Sequence, residues 1–300
     1  MKKIYLPLIV LFSTILLILF VFYNRYSNYY KDEQISRYVS KNIEILNENL
    51  EFEKRYALSL SLMVSKNNTL KEALKANNRA VALKELELVI KEIEQTTHTK
   101  VDIQIHTKDL KAFARSWDRS NYYGADLSFR RGLKIVQKSQ TPFVSIELGK
   151  RLNIKAISPI FDKNRYIGSI EVIMGFGGIK KRLKKFGLTI LGLLDKKYID
   201  VAVDLQDNAK IGNYYVVEKS YPKELFNLLQ KNRYILKGRK FYYKIGKDIV
   251  AIIPMKSVGI IDVGKIALLM KAEQKQEITA AQPSLKSYQF KGKKRKVIIK

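Results

Sequence analysis

Three hundred residues carry 56 Lys and Arg against 28 Asp and Glu, a formal charge of +28, with 46% hydrophobic residues, two His and no Cys. That apolar content suffices for a substantial core in one large or two small domains, while the lack of Cys excludes a disulfide framework or thiolate metal site and two His exclude histidine-rich metal chemistry. The positive excess is spread along the chain, which reads as a solvated surface rather than a nucleic-acid patch.

Lys2-Lys3 precede an uncharged run from Ile4 to Tyr23. About twenty residues at ~1.5 Å each span the hydrocarbon core as a helix. A signal peptide has a shorter apolar core and a small-x-small cleavage site, and neither is present, so residues 1–30 read as an uncleaved membrane anchor. Tyr23, Tyr26, Tyr29 and Tyr30 suit the far interface as an aromatic belt. An anchor so close to the N-terminus predicts that the bulk of the chain is exported, in an inner (cytoplasmic) membrane with a periplasmic body.

From Asp32 to Ser65 there is no Gly or Pro, and Ile35, Val39, Ile43, Leu46, Leu50, Ala57, Leu60 and Val64 recur at three- and four-residue steps. This predicts one helix about 50 Å long. After Phe52 the stripe is expected to pack on its own sheet; below it, a parallel homodimer is one way to cover it. Asn67-Asn68 and Asn77-Asn78 punctuate a short helix around Leu70 to Leu74, and a further helix is predicted from Ala80 to about Gln95. Val101 to Ile105 alternates as a half-buried strand, so His106 is expected at a strand end on the surface.

Leu110 to Ala114 leads into a loop dense in rings and charges: Arg115, Trp117, Asp118, Asn121, Tyr122, Tyr123 and Asp126. Ser128 is placed to cap a helix through Leu133, Ile135 and Val136. Strands are predicted at Phe143 to Leu148, Ile154 to Phe161 and Tyr166 to Met174, the last two forming a hairpin over Asp162-Lys163-Asn164-Arg165. Gly177-Gly178 ends this unit, and the basic helix Ile179 to Phe186 leads to a second one. There, strands are expected at Thr189 to Leu194, Asn213 to Val217, Arg239 to Ile245, Ile249 to Pro254 and Ile260 to Met270, with a helix begun by Pro222. Lys271 to Lys300 reads as a flexible basic tail ending in Gly292-Lys293-Lys294-Arg295-Lys296, suited to contact with anionic lipid or envelope polymer. The fold class is therefore α+β: a long N-terminal helix, then two antiparallel sheet-and-helix modules at 31–178 and 179–270, then the tail at 271–300.

The order in the middle carries a family resemblance. Arg115-x-Trp117 is followed by Gly124-Ala125-Asp126-Leu127-Ser128, Arg130, Thr141-Pro142-Phe143, Glu147, Pro159-Ile160 and Gly168-Ser169-Ile170-Glu171-Val172. This resembles the membrane-distal half of the double Cache sensory domain, the extracytoplasmic input module of bacterial chemoreceptors and sensor kinases, across roughly Lys31 to Leu269. It departs from the pattern at Ala125, where a second acid is common, and at Lys150-Arg151-Leu152-Asn153, where a Gly-rich turn is common. The resemblance implies two PAS-like modules, a small-molecule ligand in the distal one, and action through a receptor partner or a homodimer. Against the chemoreceptor pattern, a second span and an output domain are expected to be lacking. A non-binding scaffold and a truncated receptor or kinase are the alternatives.

No nucleophile elbow, phosphate loop, zinc helix or nucleotide fingerprint occurs, so neither an enzyme nor a cofactor or metal site is predicted. Arg115 and Arg130 offer planar forks for a carboxylate. Trp117, Tyr122 and Tyr123 can box a small molecule, and Asp126 can take an ammonium group. Asn121, Glu147 and Glu171 complete the candidate set. Each has a plainer reading: Trp117 as a core anchor, Arg130 as the ion-pair partner of Glu147 or Asp126, and Glu171 as a residue facing water. The expected ligand is a carboxylate, amino acid or amine, and no nucleic acid is expected to bind.

Overall fold

The computed structural model describes residues 5–118, 122–258 and 261–271; the tail and its Lys-rich end lie outside them. Helix α1 (Tyr5–Ser65) runs unbroken for 61 residues. It is the one helix among the described residues long and apolar enough to cross a membrane, and none of its apolar window, taken from Val10 onward, is buried among the described residues. Burial begins at Tyr38 and continues through Val39, Asn42, Leu46, Leu50, Glu53, Ala57, Ser61 and Val64, the three-to-four spacing of one helix face. The stripe between Tyr38 and Leu50 shares a core with Leu268 and Met270, and the Tyr38 hydroxyl donates to the Lys271 carbonyl at 3.3 Å. Cover for that stripe therefore comes from the same chain and does not need a second copy.

Helices α2 (Asn68–Lys75) and α3 (Arg79–Thr97) follow. The Asn67 and Asn78 side chains accept from the Leu70 and Val81 N–H groups at 3.0 and 3.2 Å, so each Asn pair serves as a helix start. Strands β1 (Asp102–Thr107), β2 (Ala112–Arg115), β3 (Phe143–Leu148), β4 (Leu152–Asp162) and β5 (Arg165–Met174), with helix α4 (Arg131–Ser139) between β2 and β3, build a five-stranded sheet in the order β2-β1-β5-β4-β3. All its pairings are antiparallel. Helix α5 (Gly177–Lys184) leads to β6 (Thr189–Asp195), β7 (Lys210–Ile211), β8 (Tyr214–Val216), helix α6 (Lys223–Lys231), β9 (Tyr242–Ile245), β10 (Asp248–Ser257) and β11 (Ile261–Lys271). These strands form a six-stranded sheet in the order β7-β8-β6-β11-β10-β9.

Alternation divides the first sheet into two unlike faces. Ile103, Ile105, Ile154, Ala156, Ile170 and Val172 face α1, α2 and α3 and are completely buried. The polar exception there, Ser158, meets Ser61 of α1 at 2.7 Å. Registered partners share the other face: Arg115 opposite Gln104, and Gln104 opposite Glu171. Lys155 and Glu147 lie on that face too, one and two strands further on. One sheet thus presents a dry face for packing and a charged face for chemistry.

Three sequence expectations change. Ser128 does not cap α4: the cap position is Arg130, with no side-chain cap bond. Ser128 lies too far back, and its N–H and hydroxyl instead donate to the Asp126 carboxylate, each at 2.9 Å. His106 is not at the surface but fully buried, because β1 is flanked by β2 and β5 and covered on both faces. The same cover makes β1 buried rather than half-buried.

A close approach at Gly168 supports this packing. A Cβ there would lie 2.2 Å from the His106 carbonyl oxygen and 2.9 Å from Leu74. Backbone cannot yield as a side-chain tip can, so Gly168→Ala is expected to destabilise the fold by about 1–3 kcal/mol. A denaturation midpoint equal to that of the wild type would contradict this.

Candidate functional site

A cavity of about 350 Å³ opens on the charged face of the first sheet. Larger hollows of 890 Å³ at the β4–β5 turn and 790 Å³ beside α1 are shallow surface depressions lined mostly by polar and charged side chains. The smaller cavity is the more enclosed, and buried charges converge on it.

Arg115, the last residue of β2, is almost fully buried. In the amide orientation the network requires, Gln104 accepts from its Nε at 2.9 Å and Nη2 at 3.3 Å. Its Cζ lies 4.5 Å from the Tyr122 ring centre and 5.8 Å from that of Trp117. Burial lowers its pKa, with Asp118 opposing. Trp117 lines the cavity but is 42% exposed, so it is a rim residue and not a core anchor.

Arg130 also reaches the cavity, but its guanidinium is engaged. Nε donates to Glu147 Oε1 at 2.8 Å, and Nη2 to Glu171 Oε1 at 2.5 Å. This ties the start of α4 to β3 and β5. Gly132 on α4 makes room for the Glu147 carboxylate, since a Cβ there would sit 2.7 Å from its Oε2. Burial pushes the Glu171 carboxyl up, but Arg130, then Lys155 and His106, outweigh it and hold the pKa down at about 2. His106 is 3.1 Å from Ser169 Oγ through Nδ1 and 3.8 Å from Glu171 through Nε2. Burial lowers its pKa to about 4, so it is neutral at pH 7.

Two candidates stand apart. Tyr123 turns away from the cavity: its hydroxyl donates to Asn77 Oδ1 at 2.9 Å, and it is not part of the wall. Asp126 is solvent-facing and engages its oxygens with Ser128. Asn121 lies outside the described residues. The arrangement therefore gathers Arg115, Trp117 and Arg130 at the cavity, places Glu147 and Glu171 behind Arg130, and leaves Tyr123 and Asp126 elsewhere.

Sequence reasoning missed Lys155. It lines the cavity and is buried, yet none of the described residues gives its ammonium a hydrogen bond or ion pair. Burial, and then Arg130, lower its pKa to about 8. The signal was present: a lone Lys in the apolar run Ile154 to Phe161, at the alternation opposite Ile154 and Ala156. Gly149 makes room for it, because a Cβ there would sit 2.7 Å from Lys155 Nζ. Three buried cations, Arg115, Arg130 and Lys155, thus face two buried carboxylates, Glu147 and Glu171. That surplus suits an anion.

The family model described as the double sensory domain of two-component sensor kinases matches residues 32–203. The chain belongs to that family, the double Cache sensory domains. No curated protein sequence matches it. Similar solved structures include the V. cholerae histidine kinase DctB sensor domain, 14% identical, with TM-score 0.46 over 77% of this chain and 95% of that one. The ligand-binding domain of the Pseudomonas fluorescens chemoreceptor CtaA, solved with L-serine, is 15% identical, with TM-score 0.45 over 80% of this chain and 99% of that one. That of the Pseudomonas aeruginosa amino acid chemoreceptor PctC, solved with GABA, is 12% identical, with TM-score 0.42 over 78% and 99%.

Proposed function

We propose that this protein is a membrane-anchored extracytoplasmic sensor whose cavity binds a small carboxylate, anionic or zwitterionic. The observation that carries the reading is the buried Lys155, which shares a cavity with Arg115 and has no hydrogen bond or direct ion pair among the described residues, its balancing charges being Glu147 and Glu171 nearby. A buried charge is expensive without a partner, and a carboxylate would supply one. The rings of Trp117 and Tyr122 frame the opening. Membership of a sensory family supports recognition rather than turnover. The apolar stretch of α1 from Val10 supports anchoring through the span read from the sequence, whose first residue, Ile4, lies outside the described residues, and membership of a sensory-domain family supports a body on the outer side.

Thermal melting of the full chain in detergent tests this against amino acids, mono- and dicarboxylates and amines. Carboxylates should raise the melting temperature and simple amines should not. Arg115→Ala should weaken binding of the active carboxylate about 10- to 100-fold, the worth of a charge-assisted hydrogen bond. Should no carboxylate shift the wild-type transition, the reading fails. Protease added outside spheroplasts should degrade the body of the chain; complete protection would refute export.

A further inference from the structure

The cavity wall includes Val201 and Asp204, which lie in the segment joining β6 to β7 of the second sheet. We propose that this segment is a strap shared by both sheets, which covers the ligand and carries occupancy of the cavity into the second sheet. The inference rests on the carboxylate-binding reading above.

The strap is tied to the cavity at one point. The Asp204 N–H donates to the Lys150 carbonyl at 3.1 Å, in the turn between β3 and β4. The Asp204 carboxylate lies 3.7 Å from Arg151 Nε. From Lys150 the contacts run inward: its ammonium donates to the Tyr122 hydroxyl at 2.7 Å, and the Tyr122 ring rests 4.5 Å from the Arg115 guanidinium. A chain of direct contacts therefore joins Arg115 to the strap.

The other side of the strap is fixed to the second sheet. Ala202 and Leu205 are buried in the main core. The Asn208 amide donates to the Val216 carbonyl on β8 at 2.8 Å, and the Tyr198 hydroxyl to the Asp262 carbonyl on β11 at 3.1 Å. Between these anchors Val201 is 50% exposed, an apolar side chain on a charged wall. Such a side chain gains by covering the carbon skeleton of a bound carboxylate. Because neighbouring residues are pinned to β8 and β11, closing Val201 onto a ligand restrains those strands as well. The strap itself is built of two short 3-10 turns, Lys196–Tyr198 and Val203–Leu205, with few ladder bonds of its own. Segments of that kind open at low free energy, so their order responds to small gains.

Hydrogen exchange on the full chain in lipid nanodiscs, with and without succinate, tests the coupling. Succinate should slow amide exchange in 196–209 and in β7 and β8 by about 5-fold or more. Val201→Ser should weaken succinate binding about 3- to 10-fold, the value of a partly covered Val. Val203→Ser, beside it but outside the cavity wall, should leave binding unchanged. If succinate raises the melting temperature while exchange in 196–209 stays the same, the strap is refuted and carboxylate binding stands. If succinate, L-serine and 4-aminobutyrate all leave the wild-type melting unchanged, the binding reading falls and takes the strap with it.

Discussion

Arg130→Met is expected to destabilise the protein by about 3–5 kcal/mol at pH 7, because it strands two buried carboxylates. Glu147 and Glu171 are almost completely inaccessible, and Arg130 is the cation bonded to both. In a domain of this size that corresponds to a fall in melting temperature of roughly 10 °C. The acid limb separates this mechanism from simple loss of packing. In the wild type, Glu171 has a folded pKa of about 2 against an ordinary 4.5. A depressed carboxyl stabilises the fold fully above 4.5, and that contribution drains away as pH falls toward 2. In the variant the stranded carboxyl ionises reluctantly and gains by protonation, so the gap between the two proteins should narrow below pH 4. The single Trp, Trp117, stands on the cavity rim and reports the transition. A gap that is constant from pH 7 to pH 3 would mean the loss is packing alone. Arg130→Lys keeps the charge but not the fork and should fall between the two.

Much of this architecture was readable because it follows short-range periods. The β4–β5 hairpin falls on the polar turn Asp162 to Arg165, whose ends pair directly. The Asn pairs at 67–68 and 77–78 mark helix starts by a local bond that needs no tertiary context. Legibility fails where an outcome depends on a third partner. His106 is buried because two strands flank it, and nothing within its own strand says so. Tyr122 faces the cavity and Tyr123 faces Asn77, a choice made by a turn through Gly124 at φ +76° and not by any period. The two roles weighed for Arg130 differ only in whether an acid arrives from another strand, and Glu147 and Glu171 both do. Val201 and Asp204 reach the cavity from some fifty residues beyond the β3–β4 turn, through a contact that no local pattern encodes.

Lys155→Met is expected to make the protein more stable and worse at binding. Lys155 has a folded pKa of about 8 against an ordinary 10.5. A tenfold change in proton affinity corresponds to about 1.4 kcal/mol, so keeping this ammonium buried and charged costs on the order of 3 kcal/mol at pH 7. Methionine fills similar volume without the charge and removes that penalty. Between pH 8 and 10.5 the unfolded chain holds a proton on Lys155 that the folded chain has released, so wild-type stability from this group rises with pH across that window. The Met variant should lack the rise, and its advantage should shrink as pH climbs toward 10.5. A carboxylate in the cavity reverses the balance, because it pairs with the ammonium and raises its pKa. Binding then takes up a proton above pH 8, and affinity should fall by about tenfold per pH unit there. In the variant the pH dependence should vanish, with affinity about 10- to 100-fold lower at pH 7. Paired melting and binding titrations at pH 7 and pH 9 decide it. A Met variant that melts below the wild type and binds a carboxylate just as well would show that Lys155 is a structural residue and that the anion is held elsewhere.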